Sequence, residues 1–259
     1  MADNIKAVHT VLDQGECLTT EWQALIEFAA RYYHHPLGMI ALEALPKALR
    51  VLNARGEEPV MVAKSREHAF KLLAMDMDST LITIECIDEI ADFAGKKKEV
   101  SEITEAAMRG EIKDFSESLN RRVALLKGVP ASCLNSVFEE RLRLSPGAEE
   151  LIAFAKAKGW KTLLVSGGFT FFTDKMKEVL GLDYTRSNTL EIVDGHLTGR
   201  VLGTIVDADV KRETVLETCD MLGCDSSQAI VVGDGSNDLK MMEIAGASVA
   251  FRAKPVVQE

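Results

Sequence analysis

Basic residues are in the minority in this 259-residue chain: 30 Lys and Arg stand against 40 Asp and Glu, a formal net charge of -10. An acidic surface repels the phosphates of nucleic acids and anionic membranes, so neither is an expected partner. Cysteines are also few. Cys17, Cys86, Cys133, Cys219 and Cys224 are odd in number and scattered, with no CxxC pair. That speaks against a zinc site and against a disulfide framework, and leaves reduced, partly buried thiols as the expectation. No apolar run approaches the ~20 residues that span a bilayer. The N-terminus lacks the basic segment and apolar run of a signal peptide. Repeats and low-complexity tracts are absent as well. A soluble cytoplasmic protein is the reading these absences favour.

What the chain does have is apolar material. Hydrophobic residues make up 47% although aromatics reach only 6%, enough for a substantial core. The length suits one sizeable domain with an insertion, or a domain and a small companion. The acidic balance would repel an anionic substrate too. Any phosphate site must therefore be locally positive, through a lysine, a metal ion or helix N-termini.

Residues 1–68 read as a helical region of unknown role. Thr19 or Thr20 is placed to cap a helix with Trp22, Leu25, Ile26 and Ala29 on one face, and Pro36 and Gly38 end it. A second helix is predicted over about 39–53, and 55–59 reads as a linker. From Lys71 the pattern changes. Short apolar strands are predicted at 71–75, 161–165, 228–232 and 247–251, with helices at about 147–158, 169–180, 211–222 and 236–245. Residues 187–201 read as a hairpin turning at Asp194-Gly195. Strands alternating with helices imply a doubly wound, mostly parallel α/β sheet. A helical block over 86–142 interrupts that pattern straight after the first strand. An insertion there sits over the carboxyl ends of the strands, where such sheets bind ligands.

Three predicted strands end in polar clusters. Asp76-Met-Asp-Ser-Thr80 sets two carboxylates at one strand end, where they repel unless a cation or proton joins them. Ser166-Gly167-Gly168 follows a strand and precedes a helix, so glycine backbone and helix amides are available to an anion. Gly233-Asp-Gly-Ser-Asn-Asp238 supplies further carboxylates for a hard cation that prefers oxygen. Lys211 lies between the second and third clusters. Each piece alone is commonplace in strand–helix junctions. Their order is not: a parallel sheet gathers the strand ends, so one pocket would hold a nucleophile, a proton donor, a metal site and cationic phosphate holders.

Those four segments resemble the four motifs of the haloacid dehalogenase-like phosphatases. The resemblance covers about residues 71–257 and extends to Met75-Asp-Met-Asp-Ser-Thr-Leu81, Val165-Ser-Gly-Gly-Phe169 and the Arg121-Arg122 segment. It implies a catalytic core over 69–83 and 145–259 and a helical cap over 84–144. It also implies that Asp76 is the nucleophile, forming an aspartyl-phosphate, and that Asp78 is the general acid and base. Mg2+ is implied at Asp76, Asp78 (through its backbone carbonyl) and Asp234. Ser166, the amide of Gly167 and Lys211 would bind phosphoryl oxygens, supported by Asn237 and by Asp238 pairing with Lys211. In the cap, the resemblance gives Glu85 to a substrate ammonium, Arg122 to a substrate carboxylate and Phe115 to shielding the closed site. Phe115 and Arg122 are seven residues apart and share a helical face, while spacing alone barely separates Arg122 from Arg121.

The implied activity is hydrolysis of O-phosphoserine to serine and phosphate, a step of serine biosynthesis. The alternative is another small phosphomonoester, or phosphotransfer to homoserine. A phospho-acceptor receiver module also gathers acids and a lysine, but it lacks the helical insertion. A monomer or homodimer is expected, with a small phosphomonoester as the partner. Two departures from the family pattern stand out. Residues 1–68 look more helical than the βα-repeat regulatory module of many members, and members usually continue past Ala253-Lys-Pro-Val-Val257 with a further strand and helix.

Overall fold

The computed structural model describes residues 70–108, 112, 114–253 and 257; the helices expected within 1–68 lie outside them. The chain divides into two units between Ala69 and Phe70, and the second is described below. Among its residues the strands are β1 (Leu72–Met75), β2 (Lys161–Phe169), β3 (Tyr184–Val193), β4 (His196–Leu202), β5 (Ala229–Gly233) and β6 (Ala247–Ala250). They form one sheet in the order β4-β3-β2-β1-β5-β6. Every neighbouring pair is parallel except the antiparallel β3–β4 hairpin. The fold is therefore α/β with a mostly parallel, doubly wound sheet.

The apolar runs explain the middle of the sheet. Each residue of β1 and of β5 is buried, as expected of strands covered by helices on both faces. One such cover is a cluster of Leu72, Ala74, Leu163, Val165 and Val231 against Val215, Cys219 and Met241 from the helices. Fully burying each leucine or valine is worth about 1.5–3 kcal/mol before chain entropy is subtracted. Strand order reverses around β1, whose neighbours are β2 and β5. That places the ends of these three strands beside the crevice in which α/β sheets hold ligands.

The helical block follows β1 as expected. It contains α1 (Cys86–Phe93), α2 (Lys97–Met108), α3 (Phe115–Ala124) and the short α4 (Ser132–Ser136). Asp114 caps α3 by accepting from the Ser116 amide at 2.8 Å. The chain enters and leaves the block side by side: Thr83 N donates to Arg143 O at 2.9 Å and Ser145 N to Leu81 O at 2.9 Å. A second attachment joins the block to the hairpin, with Leu197 N donating to Val129 O and Gly128 N to Leu197 O, both at 2.8 Å. The hairpin turns at Asp194 and Gly195, both at positive φ (49° and 73°), the geometry that the Asp-Gly dipeptide favours.

The remaining helices are α5 (Ala148–Ala157), α6 (Thr170–Leu180), α7 (Ala208–Met221) and α8 (Leu239–Glu243). Two expectations need correction. Ser166-Gly167-Gly168 does not follow β2 but lies within it, where the pairing with β3 slips between Val165 and Phe169. Flexible glycines there permit a bulge that a continuous ladder would forbid. Helix α7 starts before Lys211 because Asp207 caps it, accepting from Asp209 N and Val210 N at 3.0 and 2.9 Å. No helix among the described residues is long and apolar enough to cross a membrane.

Candidate active site

Asp76 leaves the end of β1 still in register with β5: its amide donates to Val232 O at 3.0 Å. The chain then folds into a tight turn over Met77–Leu81, with Asp78 extended (ψ 134°) and Ser79 in the left-handed region (φ 56°). This turn separates the two carboxylates. Asp76 Oδ1 accepts from Met77 N at 2.7 Å, whereas Asp78 Oδ1 accepts from Cys86 N at 2.9 Å.

Lys211 reaches the same point from the first turns of α7. Its Nζ lies 2.8 Å from Asp76 Oδ1 and 2.8 Å from Asp238 Oδ1, and the side chain is fully buried. The other oxygen of Asp238 accepts from the amides of Asp234 and Gly235 at 3.1 and 3.0 Å. A side chain at Gly233 would collide with that carboxylate, its Cβ falling 2.5 Å from Asp238 Oδ2, so glycine is required there. Asp234 accepts from Thr80 Oγ1 at 3.2 Å. Oxygens of Asp76, Asp234 and Asp238, all buried, lie within 4.8 Å of one another. Three carboxylates against one ammonium leave two negative charges in a buried pocket, which is the charge of one divalent cation. The donor set, all oxygen, fits a hard cation such as Mg2+ or Ca2+. Asp238 is the least available of the three, because its hydrogen bonds are already to Lys211 and two amides.

The glycine bulge of β2 closes another side. Ser166 is fully buried, and its Oγ accepts from Gly168 N at 2.9 Å. A Cβ on Gly168 would fall 2.5 Å from Asp78 Oδ2 and 3.1 Å from Ser166 Oγ. Asp78 and Ser166 therefore meet over a glycine that nothing larger can replace. The predicted residues Asp76, Asp78, Ser166, Gly167, Asp234 and Asp238 of the three clusters, and Lys211 of α7, are thus gathered. Asn237 sits beside them in the loop after β5, with its Oδ1 against Gly235.

The cap contributes the opposite wall. Phe115 rests on the bulge: a Cβ at Gly167 would lie 2.9 Å from its Cζ. Glu85, just before α1, accepts from Ser79 Oγ at 2.7 Å. The two arginines that spacing could not separate differ sharply. Arg121 is exposed and paired with Glu117, while Arg122 is half-buried and feels Asp88, Glu85 and Asp78.

The titratable groups reflect this packing. Burial, and then the Asp238 carboxylate, push Asp76 well above the ordinary carboxylate range, against the pull of Lys211. Lys211 itself is held charged by Asp76 and Asp238, which overcome the cost of burial. Burial and the Glu85 carboxylate raise Asp78 to about 7. Burial lowers Arg122, with Asp88, Glu85 and Asp78 opposing.

Three neighbours of these groups carried no expected role. Thr80 and Ser79 belong to the first cluster, where they hold Asp234 and Glu85. Asp88, in the first turn of α1, lies three residues beyond Glu85, the residue at the N-cap of the helix.

The family model described as haloacid dehalogenase-like hydrolase matches residues 70–246. A second model, a 3'DNA-binding domain (3'BD), matches residues 1–46, outside the described ones. A curated relative from Polaromonas sp., a phosphoserine phosphatase, is 61% identical over 194 residues, covering 73% of this chain and 82% of its own. The phosphoserine phosphatase of Haemophilus influenzae is 54% identical over 187 residues, covering 72% and 59% of the two chains. Among solved structures, a substrate-bound phosphoserine phosphatase complex aligns with TM-score 0.69 at 41% identity, over 73% of this chain and 89% of that one. A HAD family hydrolase from Salmonella enterica serovar Typhi aligns with TM-score 0.70 at 35% identity, over 93% and 75%. The chain belongs to the haloacid dehalogenase-like hydrolases.

Proposed function

We propose that the protein hydrolyses O-phosphoserine to serine and inorganic phosphate, with a phosphorylated Asp76 as the intermediate. The observation that carries this reading is Asp76, held 2.8 Å from the buried Lys211 ammonium with a carboxylate oxygen within 4.8 Å of those of Asp234 and Asp238. Relatives named phosphoserine phosphatases, similar over most of both chains, support the choice of substrate. Hydrolysis of that substrate belongs to serine biosynthesis, in the cytoplasm; the cysteines among the described residues are free.

Asp76 Oδ1 is engaged by Met77 N and Lys211, which leaves Oδ2 as the attacking atom. It forms a bond to phosphorus as the phosphorus–serine oxygen bond breaks. Asp78 gives its proton to the departing serine oxygen. In the second half it takes a proton from water, whose oxygen attacks the same phosphorus and releases Asp76 and phosphate. A carboxyl raised to about 7 is suited to both duties near neutral pH. Ser166 Oγ, Lys211 Nζ and the Gly167 amide hold the phosphoryl oxygens, with Asn237 in support. Asp76, Asp234 and the backbone carbonyl of Asp78 would hold Mg2+, which when bound would supply positive charge to offset repulsion between nucleophile and phosphate. Asp238 holds Lys211 in place.

In the cap, Glu85 receives the substrate ammonium and Arg122 its carboxylate, a planar fork meeting a planar acid. Phe115 lies over Gly167 and keeps bulk water from the phosphoryl group. Domain boundaries follow from these roles: a core over 69–83 and 145–259, and a cap over 84–144. The test is phosphate release from a panel of phosphomonoesters with and without magnesium. Phosphoserine should be the best substrate and require the metal. Equal or better turnover of a plain alkyl phosphate would overturn the amino-acid pocket while leaving the phosphatase chemistry in place.

A further inference from the structure

Asn188 lies in the middle of β3 and is buried, at 1% exposure. It pairs with Phe169 across the point where β2 and β3 lose register. Its side chain makes two hydrogen bonds of opposite sense. Nδ2 donates to Gly167 O at 2.8 Å, and Oδ1 accepts from Val206 N at 2.8 Å. One partner is an acceptor and the other a donor, so the orientation of the amide is fixed by chemistry.

The two partners belong to different arms of the cleft. Gly167 O and Gly168 N are the two ends of one planar peptide unit. Asn188 holds the oxygen end, and the nitrogen end donates to Ser166 Oγ at 2.9 Å. Because Ser166 Oγ accepts there, its own proton is turned toward other acceptors. Val206 precedes Asp207, the cap of α7, and Lys211 N donates to Asp207 O at 2.9 Å. One buried amide thus ties the glycine bulge to the start of the lysine helix. The bulge breaks the ladder and would otherwise strand buried backbone groups on both sides.

We propose that Asn188 is a positioning residue that sets the spacing between the Ser166 hydroxyl and the Lys211 ammonium, and so tunes binding of the phosphoryl group. The inference rests on the phosphate-holding roles given above to Ser166 and Lys211. It differs from a packing role in what it leaves alone. The hydrogen bonds of the Asn188 side chain go to Gly167 and Val206 and not to Glu85 or Arg122, so binding of the serine part should not change.

The experiment compares wild type with Asn188→Ala and Asn188→Ser. It reads kcat/KM for phosphoserine and the inhibition constants of inorganic phosphate and of serine. Inhibition constants do not depend on the fraction of folded enzyme, so modest destabilisation leaves them readable. The expected result is a roughly tenfold weaker phosphate inhibition, a fall in kcat/KM of up to roughly a hundredfold, and unchanged serine inhibition. The serine variant, which retains a short hydroxyl, should fall between wild type and alanine. Unchanged phosphate inhibition, or equal weakening of phosphate and serine, would overturn the proposal. So would failure of both variants to fold, which would make Asn188 a support of the fold alone. A wild type that neither binds phosphate nor turns over phosphomonoesters would remove the underlying reading, and that outcome is visible without any variant.

Discussion

At the strand ends, Asp76 and Asp238 each lie 2.8 Å from the Lys211 ammonium, and every one of these groups is buried. Across the cleft, Glu85, Asp88 and Arg122 are half-buried on the cap, and Arg122 has no ion pair among the described residues. The strand-end wall has its charges matched in advance, apart from the two that a divalent cation would take. The cap wall has an acid and a guanidinium held near each other without closing. A preformed charge array costs no reorganisation when phosphate charge develops. An incomplete one is completed by a ligand that brings both an ammonium and a carboxylate. On the function proposed above, the difference would separate chemistry, assigned to the core, from recognition, assigned to the cap.

If that division holds, the largest effects belong to the core. Asp76→Asn should cut turnover by roughly a million-fold, the scale seen when a nucleophile is removed. The fold should survive, because the change removes one of two carboxylates competing for Lys211; the urea midpoint checks this. Measurable turnover would take the nucleophile role from Asp76. Lys211→Met comes next. It leaves Asp76 and Asp238 buried without their cation and should cost about 3–5 kcal/mol of stability, read by urea unfolding, together with nearly all activity. A variant as stable as wild type would mean that the core wall is not held by charge matching.

Most of the core wall was legible in the sequence because each cluster sits where an apolar run ends. Four buried strand residues before Asp76 and five through Gly233 announce strands that must stop near the crevice. The glycines of Ser166-Gly-Gly168 misled in one respect. They read as a turn, but the parallel neighbour β3 carries the ladder past them as a bulge. Asn188 was invisible as a site residue, since a lone Asn in a predicted hairpin carries no motif. Its one signal is a polar amide between apolar strand positions, which demands partners inside the protein. Spacing barely separates Arg121 from Arg122, although adjacent helical residues point about 100° apart; the resemblance favours Arg122, and the packing of α3 leaves that residue half-buried and Arg121 exposed.

Exchanging those two arginines for alanine therefore sharpens the comparison. Arg122→Ala should lower kcat/KM for phosphoserine by roughly a hundredfold, the cost of a charge-assisted contact, with little change for a plain alkyl phosphate. Arg121→Ala, which loses only an exposed pair with Glu117, should stay within roughly twofold on both substrates. Equal losses in the two variants would show that neither guanidinium reads the substrate carboxylate.

The smallest expected effect tests the seam between the walls. Ser79 sits on the core turn at φ 56°, but its hydroxyl holds Glu85 at 2.7 Å. Ser79→Ala keeps the backbone conformation at similar strain, since both side chains carry a Cβ, and removes only that donor. A half-exposed hydrogen bond to a carboxylate is worth about 1 kcal/mol, so kcat/KM for phosphoserine should drop roughly fivefold. A plain phosphomonoester has no ammonium for Glu85 and should be unaffected. Substrate-dependent loss would locate the effect in recognition. An equal loss on both substrates would instead mean that Ser79 shapes the turn holding Asp76 and Asp78, and that the two walls are not as separable as their charges imply.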